Sequence, residues 1–133
     1  MKKVWVNGTF DVLHLGHIKL LEFAKSQGDY LCVGIDSDLR IKTFKGPDRP
    51  INKVHARLEF LSAIKFVDRV VIFNSDEELI IHIKIFDPDI FVIGSDYKNK
   101  KVIGAEYAKQ LIYFDRLDGY SSTFIINGST NNL

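Results

Sequence analysis

Short apolar runs alternate with amphipathic ones along this chain of 133 residues. Residues 4–6 are β-branched and aromatic and end at Asn7-Gly8, which predicts a short strand. Over residues 17–27 the period lengthens. Ile18, Leu21 and Lys25 share one face, and Leu20, Phe23 and Ala24 widen its apolar stripe, so a helix is expected with Gly28 as its C′ cap. Residues 30–35 are apolar at nearly every position, the mark of a parallel strand covered on both faces. Residues 36–52 are the most polar stretch and hold Gly46-Pro47 and Pro50, so a loop with at most a short helix is expected. Asn52 is placed to cap a helix over residues 53–64, where Val54, Leu58 and Leu61 recur at helical spacing.

A third strand is predicted over residues 69–73. Residues 76–86 carry two patterns: Ile81, Ile83 and Ile85 alternate like a strand, while Leu79, Ile83 and Phe86 fit a helix. Glu77 and Glu78 favour a helix start, and a helix is the reading taken. Residues 89–93 read as a fourth strand, 105–110 as a short helix and 111–114 as a fifth strand, and Ser121 or Ser122 opens a last helix. Strands alternating with helices imply an α/β fold: a Rossmann-like, doubly wound, five-stranded parallel sheet with helices on both faces. Residues 1–127 are expected to form one domain, with 128–133 as a polar tail.

Composition narrows the function. The chain is 46% hydrophobic and 26% charged with a formal net charge of +1, so an ordinary globular core is expected and neither nucleic acid nor a membrane surface is an expected partner. No apolar run approaches the roughly 18 residues of a membrane helix, and the first residues do not read as a secretion signal. A cytoplasmic location is the expectation. Cys32, the single cysteine, sits within an apolar strand and reads as a buried thiol.

In a parallel sheet ligands bind beyond the carboxyl ends of the strands. Four loops are therefore of interest: those after Val6, Ile35, Ile93 and Phe114. The first runs from Gly8 through Thr9, Phe10 and Asp11 to His14-Leu15-Gly16-His17. Gly8 permits a tight turn near a ligand, Gly16 permits close approach before the helix, and the helix start offers unpaired amides to phosphate. His14 and His17 can donate hydrogen bonds to phosphate oxygens. Two histidines three apart also suit a metal, or simply a solvated or core pair; no third ligand lies nearby in sequence, and no metal site is expected.

Gly8-Thr9-Phe10-Asp11 followed by His14-Leu15-Gly16-His17 resembles the signature of the cytidylyltransferase-like nucleotidyltransferases. That superfamily includes the heptose-1-phosphate adenylyltransferases and the glycerol-3-phosphate and ethanolamine-phosphate cytidylyltransferases. The resemblance implies transfer of a nucleoside monophosphate from a triphosphate to a phosphorylated small molecule with release of pyrophosphate. It implies Mg²⁺ accompanying the triphosphate and a homodimer. His14, His17 and Lys45 are the expected catalytic residues. Lys42 and Lys45 follow the second strand and match phosphate-binding lysines, although a basic loop in solvent has the same composition. Arg57 matches a family arginine on the next helix and has an equally plain reading as a surface charge.

After the fourth strand, Gly94-Ser95-Asp96 offers Asp96 to a hydroxyl; the cytidylyltransferases carry two acids after this glycine, where Ser95 stands here. Arg116, Gly119, Ser121 and Thr123 match a nucleotide-binding motif, Ser122 departs from it but supplies a hydroxyl, and the same residues also suit a capped helix. Lys45-Gly46, Arg49-Pro50 and Asn52 resemble the heptose-1-phosphate adenylyltransferases. Thr9-Phe10 and Arg116 are similar to glycerol-3-phosphate cytidylyltransferase, the alternative. A nucleotide-binding module without catalysis is the rival of another class.

Overall fold

A computed structural model of the protein describes residues 1–95 and 99–115. Five strands form one sheet: β1 (Lys3–Gly8), β2 (Tyr30–Asp36), β3 (Arg69–Phe73), β4 (Ile90–Gly94) and β5 (Gln110–Phe114). Their order is β3-β2-β1-β4-β5 and every pair is parallel. The order therefore reverses at β1, whose two neighbours belong to opposite halves of the chain. Four helices connect the strands: α1 (Leu15–Ser26), α2 (Asp38–Lys45), α3 (Val54–Ser62) and α4 (Asp76–Phe86).

The period-2 geometry of the strands divides the core into two layers. Val4, Val6, Leu31, Val33, Ile35, Ile90 and Val92 face α1 and α3, where Leu21, Ala24 and Leu61 cover them. Trp5, Cys32, Phe73, Phe91 and Ile93 face the other way, onto Leu79 and Ile83 of α4. Because β1, β2 and β4 are covered on both sides, apolar residues occupy both alternations, which is why they read as continuous apolar runs. Trp5 is fully buried, and its indole lies where a Cβ on Gly34 would come within 2.6 Å of Cζ2. Here the glycine serves close approach, and its indole neighbour anchors Nε1–H on Asn7 Oδ1 at 2.9 Å. Burial pushes the Cys32 thiol up to about 11, in keeping with a structural thiol.

Local chemistry explains where the helices begin and where the expected boundaries move. Residues 76–86 are helical: Ser75 caps α4 by accepting from the Glu78 amide, and Asp76, Glu77 and Glu78 fill the first turn against the helix dipole. The helix ends at Asp87, in the left-handed conformation just before Pro88. The polar segment after β2 holds the eight-residue α2, capped by Ser37 and terminated at Gly46, whose φ is 103°. Asn52 does not cap α3. That helix has Lys53 at its N-cap without a side-chain bond, and Asn52 is drawn away to Asp11. Gly28 follows α1 with no left-handed φ; its lack of a side chain matters because a Cβ would lie 2.7 Å from the Lys2 carbonyl. The helix expected over 105–110 is a single 3-10 turn, Ala105–Tyr107, because β5 already begins at Gln110. The helix expected from Ser121 or Ser122 and the tail at 128–133 lie outside the described residues.

Candidate active site

The expected helix start at His17 moves two residues forward, because His14 is itself the N-cap of α1. The His14 ring accepts from the Gly16 amide through Nδ1 at 3.0 Å, and the His17 ring accepts from the His14 amide through Nδ1 at 3.2 Å. This corrects the picture of a helix start offering unpaired amides, since two of those donors are taken by the histidines. It also sets the chemistry of the rings. A backbone N–H can only donate, so each Nδ1 is an acceptor and carries no proton. The proton of each neutral ring is thereby on Nε2. The rings lie 3.9 Å apart between centroids, with the Phe10 ring 5.2 Å from His17.

Burial, the adjacent His14 and the charge of Lys45 together lower the His17 pKa to about 4. The imidazole is neutral at pH 7, and Lys45 is within electrostatic reach of it. Lys45 is the last residue of α2, and its own pKa is lowered by desolvation and by Arg49, against the opposing pull of Asp36 and Asp11. Several cationic or donor groups thus crowd one place and disfavour each other's charge, an arrangement that an arriving anion relieves.

Lys45 also lines a cleft of about 260 Å³ that opens at the carboxyl ends of the strands, walled by Gly8, Thr9, Asp36, Ile93 and Lys101 among others; His14 and His17 are not in its wall. It spans the switch between β1 and β4. Thr9 Oγ1 faces the Asp36 carboxylate at 3.3 Å, and Asp36 pairs with Arg40 Nε at 2.8 Å. Gly94 ends β4, and a Cβ there would meet nothing within 4 Å.

Other expected site residues have structural tasks. Asp11 is fully buried, and its carboxylate accepts from Arg49 Nε, the Ile51 amide and the Asn52 amide at 2.8–2.9 Å. Burial works against its charge, but these donors outweigh it and hold the carboxyl below its ordinary pKa. Phe10 is buried with φ of 49°, and its ring fills the space beside Gly8. Gly16 is buried in the first turn of α1.

Arg57, expected on the nucleotide or in solvent, is fully buried. Its guanidinium donates to the carbonyls of Asn52, Thr9 and Asp36 and pairs with Asp38 at 2.8 Å. Each of its nitrogens donates within the protein, so Arg57 positions the loops around the cleft. Lys42, expected on phosphate, donates to the Pro47 and Arg49 carbonyls at 3.3 and 3.0 Å and folds the loop that follows α2. Asp96, Arg116, Gly119, Ser121, Ser122 and Thr123 lie outside the described residues.

Sequence reasoning missed Asp36, Arg40 and Arg49. Asp36 was visible as the acid closing the second strand, yet only the pairing of β1 with β2 carries it to Thr9. Arg49 stood in the sequence only as part of the Arg49-Pro50 resemblance, and its pairing had no local signal, since Asp11 lies 38 residues away.

The fold and the position of the cleft define a doubly wound α/β protein with a ligand crevice at its topological switch point. The cytidylyltransferase-like family model matches residues 5–128. The bifunctional protein HldE of Campylobacter fetus is 48% identical over 124 residues, covering 93% of this chain and 27% of that protein. HldE of Helicobacter hepaticus is 46% identical over 125 residues, covering 94% of this chain and 26% of its own length. The chain thus spans about a quarter of the curated relatives it matches. Among solved structures, a lipopolysaccharide core biosynthesis protein from Thermoplasma volcanium superposes with a TM-score of 0.74 at 29% identity, covering 89% of this chain and 99% of that one. A protein of unknown function from Archaeoglobus fulgidus, 20% identical with a TM-score of 0.63, shares the fold over 86% of this chain and 90% of its own. The chain belongs to the cytidylyltransferase-like family, a family of nucleotidyltransferases.

Proposed function

We propose that the protein transfers an adenylyl group from ATP to a sugar 1-phosphate of the heptose 1-phosphate type, releasing pyrophosphate. The observation that carries the reaction is the pair His14 and His17, each tied by Nδ1 to a backbone amide and so presenting a protonated Nε2, with Lys45 in electrostatic reach. Support for the acceptor and the base is of another kind. It comes from the 46–48% identity to proteins named HldE and from Lys45-Gly46, Arg49-Pro50 and Asn52, which resemble heptose-1-phosphate adenylyltransferases.

The reaction is an in-line displacement. An oxygen of the acceptor phosphate attacks the α-phosphorus, the bond from that phosphorus to the bridging oxygen breaks, and the electron pair leaves with pyrophosphate. The acceptor phosphate is already anionic at neutral pH, so no general base is needed. The two Nε2–H groups hold oxygens on which negative charge grows, and Lys45 neutralises the departing phosphates. Positioning comes from beneath: Arg57 holds the Thr9 and Asp36 carbonyls, and Asp11 holds the segment that follows Lys45. Because both Nδ1 atoms are acceptors, the rings cannot rotate freely without breaking the helix cap.

Mg²⁺ belongs to this proposal as a companion of the triphosphate. The Asp11 and Asp36 carboxylates are committed to protein donors, and no group of three or more His, Cys, Asp or Glu side chains suited to a metal ion occurs among the described residues. A cation that keeps phosphate and water ligands fits such a site, where it would neutralise phosphate charge. A homodimer is part of the same proposal.

The test is pyrophosphate release by purified protein with Mg²⁺, crossing ATP, CTP, GTP and UTP against heptose 1-phosphate, glycerol 3-phosphate and ethanolamine phosphate. ATP with heptose 1-phosphate is the expected productive pair. Release with CTP and glycerol 3-phosphate alone would overturn the acceptor and the base but keep the chemistry. Triphosphate binding with no release from any pair would favour a nucleotide-binding module.

A further inference from the structure

Arg49 is the cation that the expected site lacked. Its side chain lies mostly under cover, and its Nε donates to Asp11 Oδ2 at 2.9 Å. Its backbone is pinned on both sides: the amide donates to the Gly46 carbonyl at 3.2 Å, and the carbonyl accepts from Lys42 Nζ at 3.0 Å. The guanidinium is therefore held in place before any ligand arrives. Yet Nη2 is buried and has no hydrogen-bond partner. Buried polar atoms are almost always satisfied, so an exception calls for an explanation, and an arriving anion supplies one. Lys45 is in its electrostatic reach, since the charge of Arg49 helps lower the pKa of Lys45.

From this geometry, and resting on the nucleotide reading above, we infer that Arg49 is the second cation of a polyphosphate cradle, anchored on Asp11 through Nε and completed by a phosphate oxygen at Nη2. The pair that meets the β- and γ-phosphates is then Lys45 and Arg49. Lys42, which the sequence suggested, is the strut that folds the loop between them. The assignment explains why Asp11 is buried beside the loop and not exposed to ligand: its carboxylate orients a guanidinium. A planar fork of donors holds a carboxylate at Nε and presents Nη2 in a fixed direction, whereas a lysine ammonium is a compact charge on a flexible stem.

The experiment is calorimetric binding of inorganic tripolyphosphate, ATP and AMP to the wild type, Arg49→Lys and Arg49→Gln, each variant first checked by thermal melting. Arg49→Lys keeps a cation for Asp11, and Arg49→Gln keeps a neutral donor, so at least one of the two is expected to remain folded. Either folded variant should bind tripolyphosphate and ATP at least tenfold more weakly while its AMP affinity stays within about twofold. Unchanged tripolyphosphate binding in a folded variant overturns the inference and leaves the nucleotide reading standing. Equal weakening of AMP and tripolyphosphate overturns it too, because that is the signature of a purely structural arginine. A wild type that binds none of the three overturns both.

Discussion

Two segments meet at the carboxyl edge of the sheet and are built by opposite means. The β1–α1 loop sets its histidines through bonds that span two and three residues, from Gly16 to His14 and from His14 to His17. The segment from Asp36 to Arg57 is tied to that loop by bonds across 38 to 48 residues, through Asp11 and Arg57. The first is a helix cap that happens to present two imidazoles. The second is a polar stretch whose shape depends on the rest of the fold having formed. The difference teaches which charges reach the cleft. In the first segment His14 and His17 stay side by side as expected while Phe10 and Asp11 turn inward, and in the second Lys42 and Arg57 serve the scaffold.

The comparison breaks most visibly at Arg57. Arg57→Ala leaves three carbonyls and Asp38 without their donor, and unfolding in urea should show a loss of about 3–5 kcal/mol, the scale for stripping one member from a buried ionic network. A loss near zero would mean that the distant contacts do not hold the segment. His17→Ala is the converse. Steady-state pyrophosphate release should fall by about 10²–10³-fold, the scale of one transition-state donor. Stability should fall by only about 1 kcal/mol, the scale of a helix cap. Normal turnover in that variant would remove the histidines from the chemistry.

Acid separates the two segments. The pKa of His17 is lowered from 6.5 to about 4 in the folded protein, so between these values the unfolded chain binds a proton that the folded chain refuses. Stability should decline as pH falls through that window, and His17→Gln should flatten the decline, as urea midpoints at pH 7 and pH 4.5 would show. Asp11, held below its ordinary 3.8, acts lower: its contribution is present above that value and is lost as pH falls past its folded pKa. An unchanged slope in His17→Gln would mean that another group carries the upper window. Protonating the His17 ring also converts Nδ1 from acceptor to donor against the His14 amide, so the start of α1 should loosen first, visible as faster amide exchange at His14. The smallest effect is expected for Lys42→Ala. It should change the KM for the triphosphate less than tenfold, whereas Lys45→Ala should raise it far more. Equal losses would restore Lys42 to the phosphate site.

The fold was largely legible because its signals are local or periodic. Parallel strands announced themselves as apolar runs, and the four helices carried either amphipathic spacing or a serine at the cap. Residues 76–86 show what periodicity alone leaves undecided: both patterns are present, and the Ser75 cap with three acids settles the matter. Asn52 shows the reverse case. Its type suits a helix cap, but Asp11 competes for it and wins with two hydrogen bonds.

The sequence by itself determined the α/β alternation, the loops that hold the chemistry and the family to which the chain belongs, since strand burial, helix capping and the His14–His17 spacing are written over a few residues at a time. Only the tertiary structure decided the charge pattern of the cleft. Whether a lysine or an arginine faces a ligand or a carbonyl depends on which strand ends the sheet order sets side by side. Asp11 meets Arg49, and Arg57 gathers Thr9 and Asp36, beside the paired ends of β1 and β2.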